Sequence, residues 1–153
     1  MFARALFAVL ALPGMVAFVV PLAWAASSGR ARFAQPFGLV PLVLGIVGLL
    51  WCVRDFYVAG KGTLAPWSPP QALVEVGLYR YSRNPMYVSV CLILLGWAIG
   101  LQMRGLLIYA LVVAIAFHVR VVMGEEPWLA RTHGAQWDAY KARVPRWFGV
   151  TSY

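Results

Sequence analysis

The sequence has few charged residues, and acidic ones are the scarcest. Five aspartates and glutamates stand against thirteen lysines and arginines in 153 residues. Charged residues make up 12% of the chain, whereas a soluble domain usually has about 25%. Hydrophobic residues make up 62%, and the mean hydropathy is +0.75. This composition excludes an ordinary soluble domain and predicts a membrane protein.

Cysteine and histidine are also scarce, with two of each. Cys52 and Cys91 both lie in apolar stretches, and the sequence has no CxxC pair and no His/Cys cluster. The pattern therefore predicts neither a disulfide framework nor a zinc site, and we expect no metal. The two thiols are interpreted as small buried apolar groups.

The basic excess gives a formal charge of +8. Such a charge can indicate nucleic-acid binding, but here the basic residues are distributed around apolar runs. We therefore expect contact with membrane lipids, and no nucleic acid, as the reason for the charge.

Four apolar runs predict about four transmembrane helices in an all-α membrane protein. Helices are the expected form because an open sheet edge is not tolerated in hydrocarbon. Arg104 marks a tight turn between the last two runs, so these are predicted to form an antiparallel hairpin. The whole chain, 1–153, is interpreted as one membrane domain. The runs are approximately 6–25, 37–53, 85–101 and 105–123.

The first run has an alternative interpretation as a signal peptide. Arg4 precedes it, and Ala23-Trp24-Ala25 resembles a cleavage site. The apolar stretch is longer than a usual signal core of about 7–15 residues, which favours a retained span.

Basic residues predict the orientation. The side that would carry both termini is rich in lysine and arginine, and the opposite side is poor in them, which places both termini and the active site in the cytoplasm. We expect the bacterial inner membrane as the location. The first side has Arg4, Arg54, Lys61, Arg80, Arg83, Arg120, Arg131, Lys141, Arg143 and Arg146, and the second has Arg30, Arg32 and Arg104.

Two segments outside the spans are noteworthy. The central loop, 54–84, is long and rich in glycine and proline, and a loop of this length is more often functional than idle. The tail, 125–144, predicts one or two short helices that break near Gly134. Its intermittent apolar face suggests an interfacial segment packed over the membrane core.

The first cluster of polar residues lies at 77–87, where the third span begins. Asn84 is a good N-cap and Pro85 suits the first helical turn. Arg80 and Arg83 add positive charge to this helix start, so it should attract a carboxylate or phosphate. The alternative is an ordinary capped helix with basic residues at the interface.

The second cluster follows the fourth span. Glu125 and Glu126 are adjacent carboxylates at the membrane surface and can hold a cation or an ammonium group. Alternatively, they are acidic residues at a helix start beside Pro127. His118 and Arg120 lie near the end of the same span; each is either part of the site or a side chain that snorkels to the interface.

These motifs resemble a known family. From residue 60 to 147 the chain resembles the membrane methyltransferases related to isoprenylcysteine carboxyl methyltransferase and to phospholipid methyltransferases. The resemblance rests on three elements in order: Gly77-x-Tyr79-x-x-x-Arg83-x-Pro85-x-Tyr87, then Glu125-Glu126 with Leu129, and finally Gly134-x-x-Trp137-x-x-Tyr140-x-x-x-Val144-Pro145-Arg146.

The resemblance implies that S-adenosylmethionine is the cofactor. Carried over residue by residue, it implies that Arg83, Pro85, Tyr87, Glu125 and Glu126 line the cofactor pocket, and we expect Tyr79, Asn84 and His118 to complete the cofactor-binding residues. The helix start suits the methionyl carboxylate, a glutamate its ammonium and an aromatic face the sulfonium. We expect catalytic roles for Arg83, Arg120 and Glu126.

One position departs from the family pattern. Asn84 stands where the isoprenylcysteine enzymes usually have histidine. Asparagine preserves capping and hydrogen bonding but does not titrate near neutral pH. We interpret it as the marker of a subgroup.

The resemblance implies methyl transfer to a lipophilic or membrane-presented substrate. A carboxylate acceptor needs no base, so positioning would supply most of the acceleration; an amine acceptor would need a glutamate to receive its proton. Two other hypotheses stay open at this point. One is an integral membrane reductase of the sterol-reductase type that uses NADPH, and the other is a non-catalytic membrane scaffold.

Overall fold

The computed structural model describes residues 10–60 and 72–149 of the chain. Within those residues the protein is helical and contains no strand. The beginning of the first predicted span and the Gly/Pro-rich part of the central loop, with Lys61, fall outside the described residues. The helices are α1 (Val20–Ser27, continuing a π-helical stretch Leu10–Val19), α2 (Leu39–Val58), α3 (Pro85–Gly100), α4 (Arg104–Arg120), α5 (Glu126–His133) and α6 (Ala135–Arg143).

Two helical stretches are long and apolar enough to cross a membrane. The first is Pro36–Val58, in which a short 3-10 turn leads into α2, and the second is Arg104–His133, in which α4 continues through a π-helical turn into α5. Pro13–Ser27 and Pro85–Gly100 are apolar but shorter. The two long stretches agree with the second and fourth predicted spans, and the count of four spans stays a prediction.

The helix ends differ from the predicted ones at two places. α2 continues five residues past position 53, so Arg54 is helical and is not part of the central loop. The turn between α3 and α4 is formed by residues 101–103, with Gln102 at a φ of 52°, and Arg104 is the first residue of α4. The reason is that arginine is a good helix former and needs no special backbone conformation.

The core between α2 and α3 depends on glycines. A Cβ on Gly45 would lie 2.6 Å from the Ser89 carbonyl oxygen, and a Cβ on Gly96 would lie 2.6 Å from the Leu42 backbone nitrogen. Side chains at these positions would force the helices apart, which is the close approach that small residues permit in membrane bundles. Leu42, Leu49, Val90, Ile93 and Leu94 fill the space beside these contacts.

The sequence predicts one or two short helices in the tail, and the structure has two. α5 ends at His133, Gly134 follows with a φ of 52°, and α6 begins directly after it. Trp137, Tyr140 and Val144 are buried and pack against Leu73 and Leu129. α6 is therefore held against the segment that precedes α3, and the chain after it passes close to the start of α3.

Candidate functional site

Glu126, the first residue of α5, lies between two arginines. The Arg146 guanidinium donates two hydrogen bonds to it, from Nε to Oε1 and from Nη2 to Oε2, each 2.8 Å long. Arg83 Nη1 lies 3.0 Å from the same Oε1. One carboxylate thus joins the segment before α3 to the segment after α6.

Arg83 is the buried member of this group, with a side chain 9% exposed. Its guanidinium carbon lies 5.3 Å from the ring centroid of Trp137, which fits a cation–π contact. Burial lowers the pKa of Arg83, while the Glu126 charge raises it. Hydrogen bonding to Glu126 raises the pKa of Arg146. Both guanidinium groups therefore carry their charge at any physiological pH.

Two N–H groups of Arg83 are buried without a hydrogen-bond partner in the described residues. They are on Nε and Nη1, so the contact of Nη1 with Glu126 is an ion pair rather than an aligned hydrogen bond. Buried donors are nearly always satisfied in folded proteins, so these two N–H groups are an exception to that rule.

Backbone hydrogen bonds fix the chain around Arg83. Its own N–H donates to the Pro145 carbonyl at 2.9 Å. Ser82 Oγ and Asn84 Nδ2 both donate to the Arg146 carbonyl, at 3.3 and 3.0 Å. The segment 144–146 and the start of α3 are therefore positioned by each other.

The predicted capping role of the Asn84 side chain is wrong. Asn84 does hold the N-cap position and Pro85 is the first residue of α3, but the Asn84 side chain makes no cap hydrogen bond. The Asn84 amide donates a hydrogen bond to the Arg146 carbonyl instead. Asn84, which stands where the isoprenylcysteine enzymes usually have histidine, thus joins the tail to the start of α3.

Glu125 belongs to a second group, formed with Tyr87 and Arg120. The Tyr87 hydroxyl donates to Glu125 Oε1, and Arg120 Nε donates to the same oxygen at 2.8 Å. Arg120 Nε also lies 3.2 Å from the Tyr87 hydroxyl. The Arg120 side chain is 60% exposed, so this ion pair is worth little to stability. Because Glu125 and Glu126 are adjacent, the two groups lie side by side.

The Tyr79 side chain is buried, with 5% of its surface exposed. It is buried with Cys52 and Val74, and its carbonyl accepts a 2.8 Å hydrogen bond from the Tyr140 hydroxyl. Burial raises the pKa of both tyrosines. The hydrogen bond from Tyr140 thus joins the segment before α3 to α6.

His118 is paired with Trp147, the residue that follows Arg146. Its Nδ1 accepts a 3.2 Å hydrogen bond from Trp147 Nε1, and the two rings stack with centroids 6.1 Å apart. It makes no hydrogen bond to either glutamate among the described residues.

Arg146 and Trp137 were not among the predicted site residues, yet both contact the others. The signal for Arg146 was its place in the Val-Pro-Arg ending. The sequence could not show that this ending returns to Glu126, because twenty residues and two helices separate them.

Comparison with protein-family models identifies one family. A model of the phospholipid methyltransferase family matches residues 34–136, more than half of the chain. Comparison with curated proteins and with solved structures gives no match. The matched range includes α2 to α5, with Arg83, Glu125 and Glu126, and it ends before Arg146.

Proposed function

The chain belongs to the phospholipid methyltransferase family, and from this premise we propose that it is an integral membrane methyltransferase that uses S-adenosylmethionine. The proposed substrate is a lipophilic small molecule or a lipid presented from the membrane. The observation that carries the proposal is the group of opposite charges that Arg83, Glu126 and Arg146 form where α3 begins.

The charges at the site fit the methionine end of this cofactor. That end has a carboxylate and an ammonium, and Arg83 at the start of α3 supplies the positive charge that suits a carboxylate. Glu125 accepts its described hydrogen bonds on Oε1 alone, so its other oxygen suits the ammonium. The pair of opposite charges is better suited to a zwitterion than to a phosphate, which both glutamates would repel.

The residues of the chain act by binding and orientation. S-adenosylmethionine supplies a methyl group activated by its sulfonium. Arg83 and Glu125 would hold its methionine end, and the stacked rings of Tyr87 and Phe117, whose centroids are 4.3 Å apart, would shield the neighbouring space from water. A fixed geometry of donor and acceptor can itself supply a large part of the acceleration.

The membrane arrangement is part of the proposal. α3 and α4 would form the hairpin predicted from the sequence, with four spans in all and both termini cytoplasmic. This orientation places the start of α3 and the end of α4 at the cytoplasmic surface, where a soluble cofactor has access. Single cysteines that replace the exposed residues Arg30 and Arg131, in a Cys52→Ser/Cys91→Ser background, test this orientation. Their reactivity toward an impermeant maleimide is measured, and we expect the two positions to be accessible from opposite sides of the membrane.

Ligand binding distinguishes this proposal from a reductase and from a scaffold. We expect S-adenosylhomocysteine, and not NADPH, to raise the melting temperature of the detergent-solubilised protein. A shift with NADPH alone would favour the reductase, and a shift with neither would favour the scaffold.

Matched variants test the site assignment. Arg83→Ala and Glu126→Gln should each weaken S-adenosylhomocysteine binding by at least about tenfold, because each removes a charged contact or leaves a buried charge unpaired. The control is Arg80→Ala, since Arg80 is exposed. Equal binding by all three variants contradicts the assignment. Labelled S-adenosylmethionine with total membrane extract then identifies the methylated product.

A further inference from the structure

A pocket at the far end of α3 is lined by two arginines. It lies where α3 ends, and α3 has 16 residues, so the pocket is about 24 Å from the start of that helix. Its volume is about 280 Å³. The walls are formed by Arg30, Arg32 and Ala34 of the segment before α2 and by Leu101 and Gln102 of the turn after α3. The pocket is therefore separate from the proposed methyl-donor site.

The two arginines of this pocket have no acidic partner. All five acidic residues of the chain lie toward the other end of the helices; they are Asp55, Glu75, Glu125, Glu126 and Asp138. Within residues 10–60 and 72–149, the guanidinium groups of Arg30 and Arg32 form no ion pair and no hydrogen bond. Both side chains are exposed. Their charge is therefore available to an anionic ligand.

Capping of α3 does not account for these arginines. Basic side chains near a helix C-terminus often bind its last carbonyls, but backbone N–H groups already occupy the last four carbonyls of α3. The donors are Leu101, Met103, Gln102 and Ala34, which bond to Trp97, Ala98, Ile99 and Gly100 at 2.9, 3.1, 3.2 and 2.7 Å. The guanidinium donors are thus not used by the helix end beside them.

The segment that carries the arginines is held on both sides. The Arg30 N–H donates to the Ala25 carbonyl at 2.9 Å, where α1 ends. The Ala34 N–H donates to the Gly100 carbonyl at 2.7 Å, where α3 ends. Because the backbone of Arg30 and Arg32 is fixed between these two bonds, less conformational entropy is lost when a ligand binds.

Gln102 has a backbone conformation that favours glycine. Its φ is 52°, and hydrogen bonds from its own N–H and from that of Met103 close the Schellman motif at the end of α3. α1 ends in the same motif, but there Gly29, with a φ of 64°, holds the equivalent position. A residue with a Cβ is strained in this conformation, and such strain concentrates at functional sites. The Gln102 side chain adds an amide donor to the pocket.

We propose that this pocket binds a phosphate group, with Arg30 and Arg32 as its charged partners and the Gln102 amide as a further donor. Guanidinium groups bind phosphate through paired N–H donors. Phosphate oxygens are arranged tetrahedrally, so they can accept from donors that arrive from two segments of the chain, whereas the two oxygens of a carboxylate lie in one plane. The inference does not depend on the proposed methyl transfer.

Two sources could supply this phosphate. The pocket lies where the apolar helices α3 and α4 meet their connecting turn, which is the depth expected for the headgroups of an anionic phospholipid. The exposed arginines are also open to phosphate in water. The chemistry of recognition is the same for both, and the probes below distinguish them.

Thermal unfolding of the full-length protein in dodecyl maltoside, at constant ionic strength, measures binding. The probes are dioctanoyl phosphatidylglycerol, inorganic phosphate and decanoate. We expect phosphatidylglycerol to raise the melting temperature saturably, at a concentration at least about tenfold lower than decanoate. A rise with the lipid alone identifies the lipid headgroup as the source, and a rise with inorganic phosphate at a similar concentration identifies free phosphate. No rise with either, or equal binding of decanoate, overturns the proposal.

Single arginine variants locate the binding. Arg30→Ala and Arg32→Ala should each raise the half-saturating concentration of phosphatidylglycerol, or of phosphate if that is the source, at least about tenfold. The control is Arg104→Ala, which removes an exposed arginine from the same end of the helices but outside the pocket, and it should leave binding unchanged. An equal loss in the control would indicate diffuse attraction to positive charge, and no loss in the other two would place binding elsewhere; either result overturns the proposal.

Gln102→Gly separates binding from stability. Glycine relieves the backbone strain, so the melting temperature without a probe should rise. Loss of the amide donor should at the same time raise the half-saturating concentration of the probe about fivefold. A residue that only shapes the turn would not produce this opposite pair of changes. Unchanged binding in Gln102→Gly would contradict the part assigned to Gln102 in the pocket.

Discussion

Arg146 and Glu126 form a two-point contact, with both carboxylate oxygens of Glu126 accepting 2.8 Å hydrogen bonds from one guanidinium. The contact joins the first turn of α5 to the segment that follows α6. Because the Arg146 carbonyl also accepts from Ser82 and Asn84, it fixes three parts of the chain around Arg83.

Removing Arg146 and removing Glu126 should lower the free energy of unfolding by different amounts. Arg146→Ala should lower the free energy of unfolding by about 1 kcal/mol, since Arg146 is partly exposed and water replaces it. Glu126→Gln should cost about 3 kcal/mol, because it leaves the buried Arg83 charge without its counter-ion. Unfolding in mixed detergent micelles measures both values. An equal or reversed order would show that Arg83 does not depend on Glu126.

Two glycines on α2 should differ in their tolerance of alanine. The Cβ of Gly45→Ala would meet the Ser89 carbonyl oxygen and Ile93 backbone, at 2.6 and 2.8 Å, whereas the closest atom for Gly48→Ala is the Ser89 Oγ, which can rotate. We expect a cost of about 2 kcal/mol for the first and less than about 1 for the second. The same unfolding assay compares them, and similar costs would contradict the predicted contact with the Ser89 backbone.

Gly77→Ala should destabilise the segment before α3. Gly77 has a φ of 58°, and a Cβ there would lie 1.9 Å from Asp55 Oδ2. A left-handed conformation costs a residue with a Cβ about 1–3 kcal/mol, and the clash adds to this. Gly124→Ala is the control, since its Cβ would meet nothing within 4 Å. A melting temperature unchanged by Gly77→Ala would mean that the backbone is not held in this conformation.

Stability should fall at alkaline pH, in part through Tyr140. Burial raises the pKa of Tyr140 above its ordinary value, so the folded state holds its proton more tightly than the unfolded chain does. The contribution is fully present below about pH 10 and is lost as pH rises beyond it. Unfolding free energies from pH 8 to 11 should fall less steeply in Tyr140→Phe. Tyr81→Phe, at a residue 76% exposed, should follow the unaltered protein; identical slopes for all three would exclude a role for Tyr140.

The sequence alone predicted several features correctly, because they depend on local composition. Apolar runs identified α2, α3 and α4, because hydrocarbon requires backbone hydrogen bonds to be satisfied within each helix. The tail sequence predicted one or two short helices with a break near Gly134, and the structure has two. The motifs at 77–87 and 125–129, together with the ending at 134–146, indicated the family, which the match over 34–136 confirms.

Other features depend on contacts between distant residues, and only the tertiary structure decided them. The Asn84 side chain donates to the Arg146 carbonyl instead of capping α3. A local sequence pattern could not predict this contact, because the acceptor lies 62 residues away. Glu125 and Glu126 are adjacent in sequence but have different partners, because consecutive residues on a helix point about 100° apart. His118 faces an apolar groove with Trp147 rather than the two acids, because Trp147 is brought there by the return of the tail. The sequence thus determined which helices form and which residue types carry charge. The packing of the tail against α3 determined which of those charges meet.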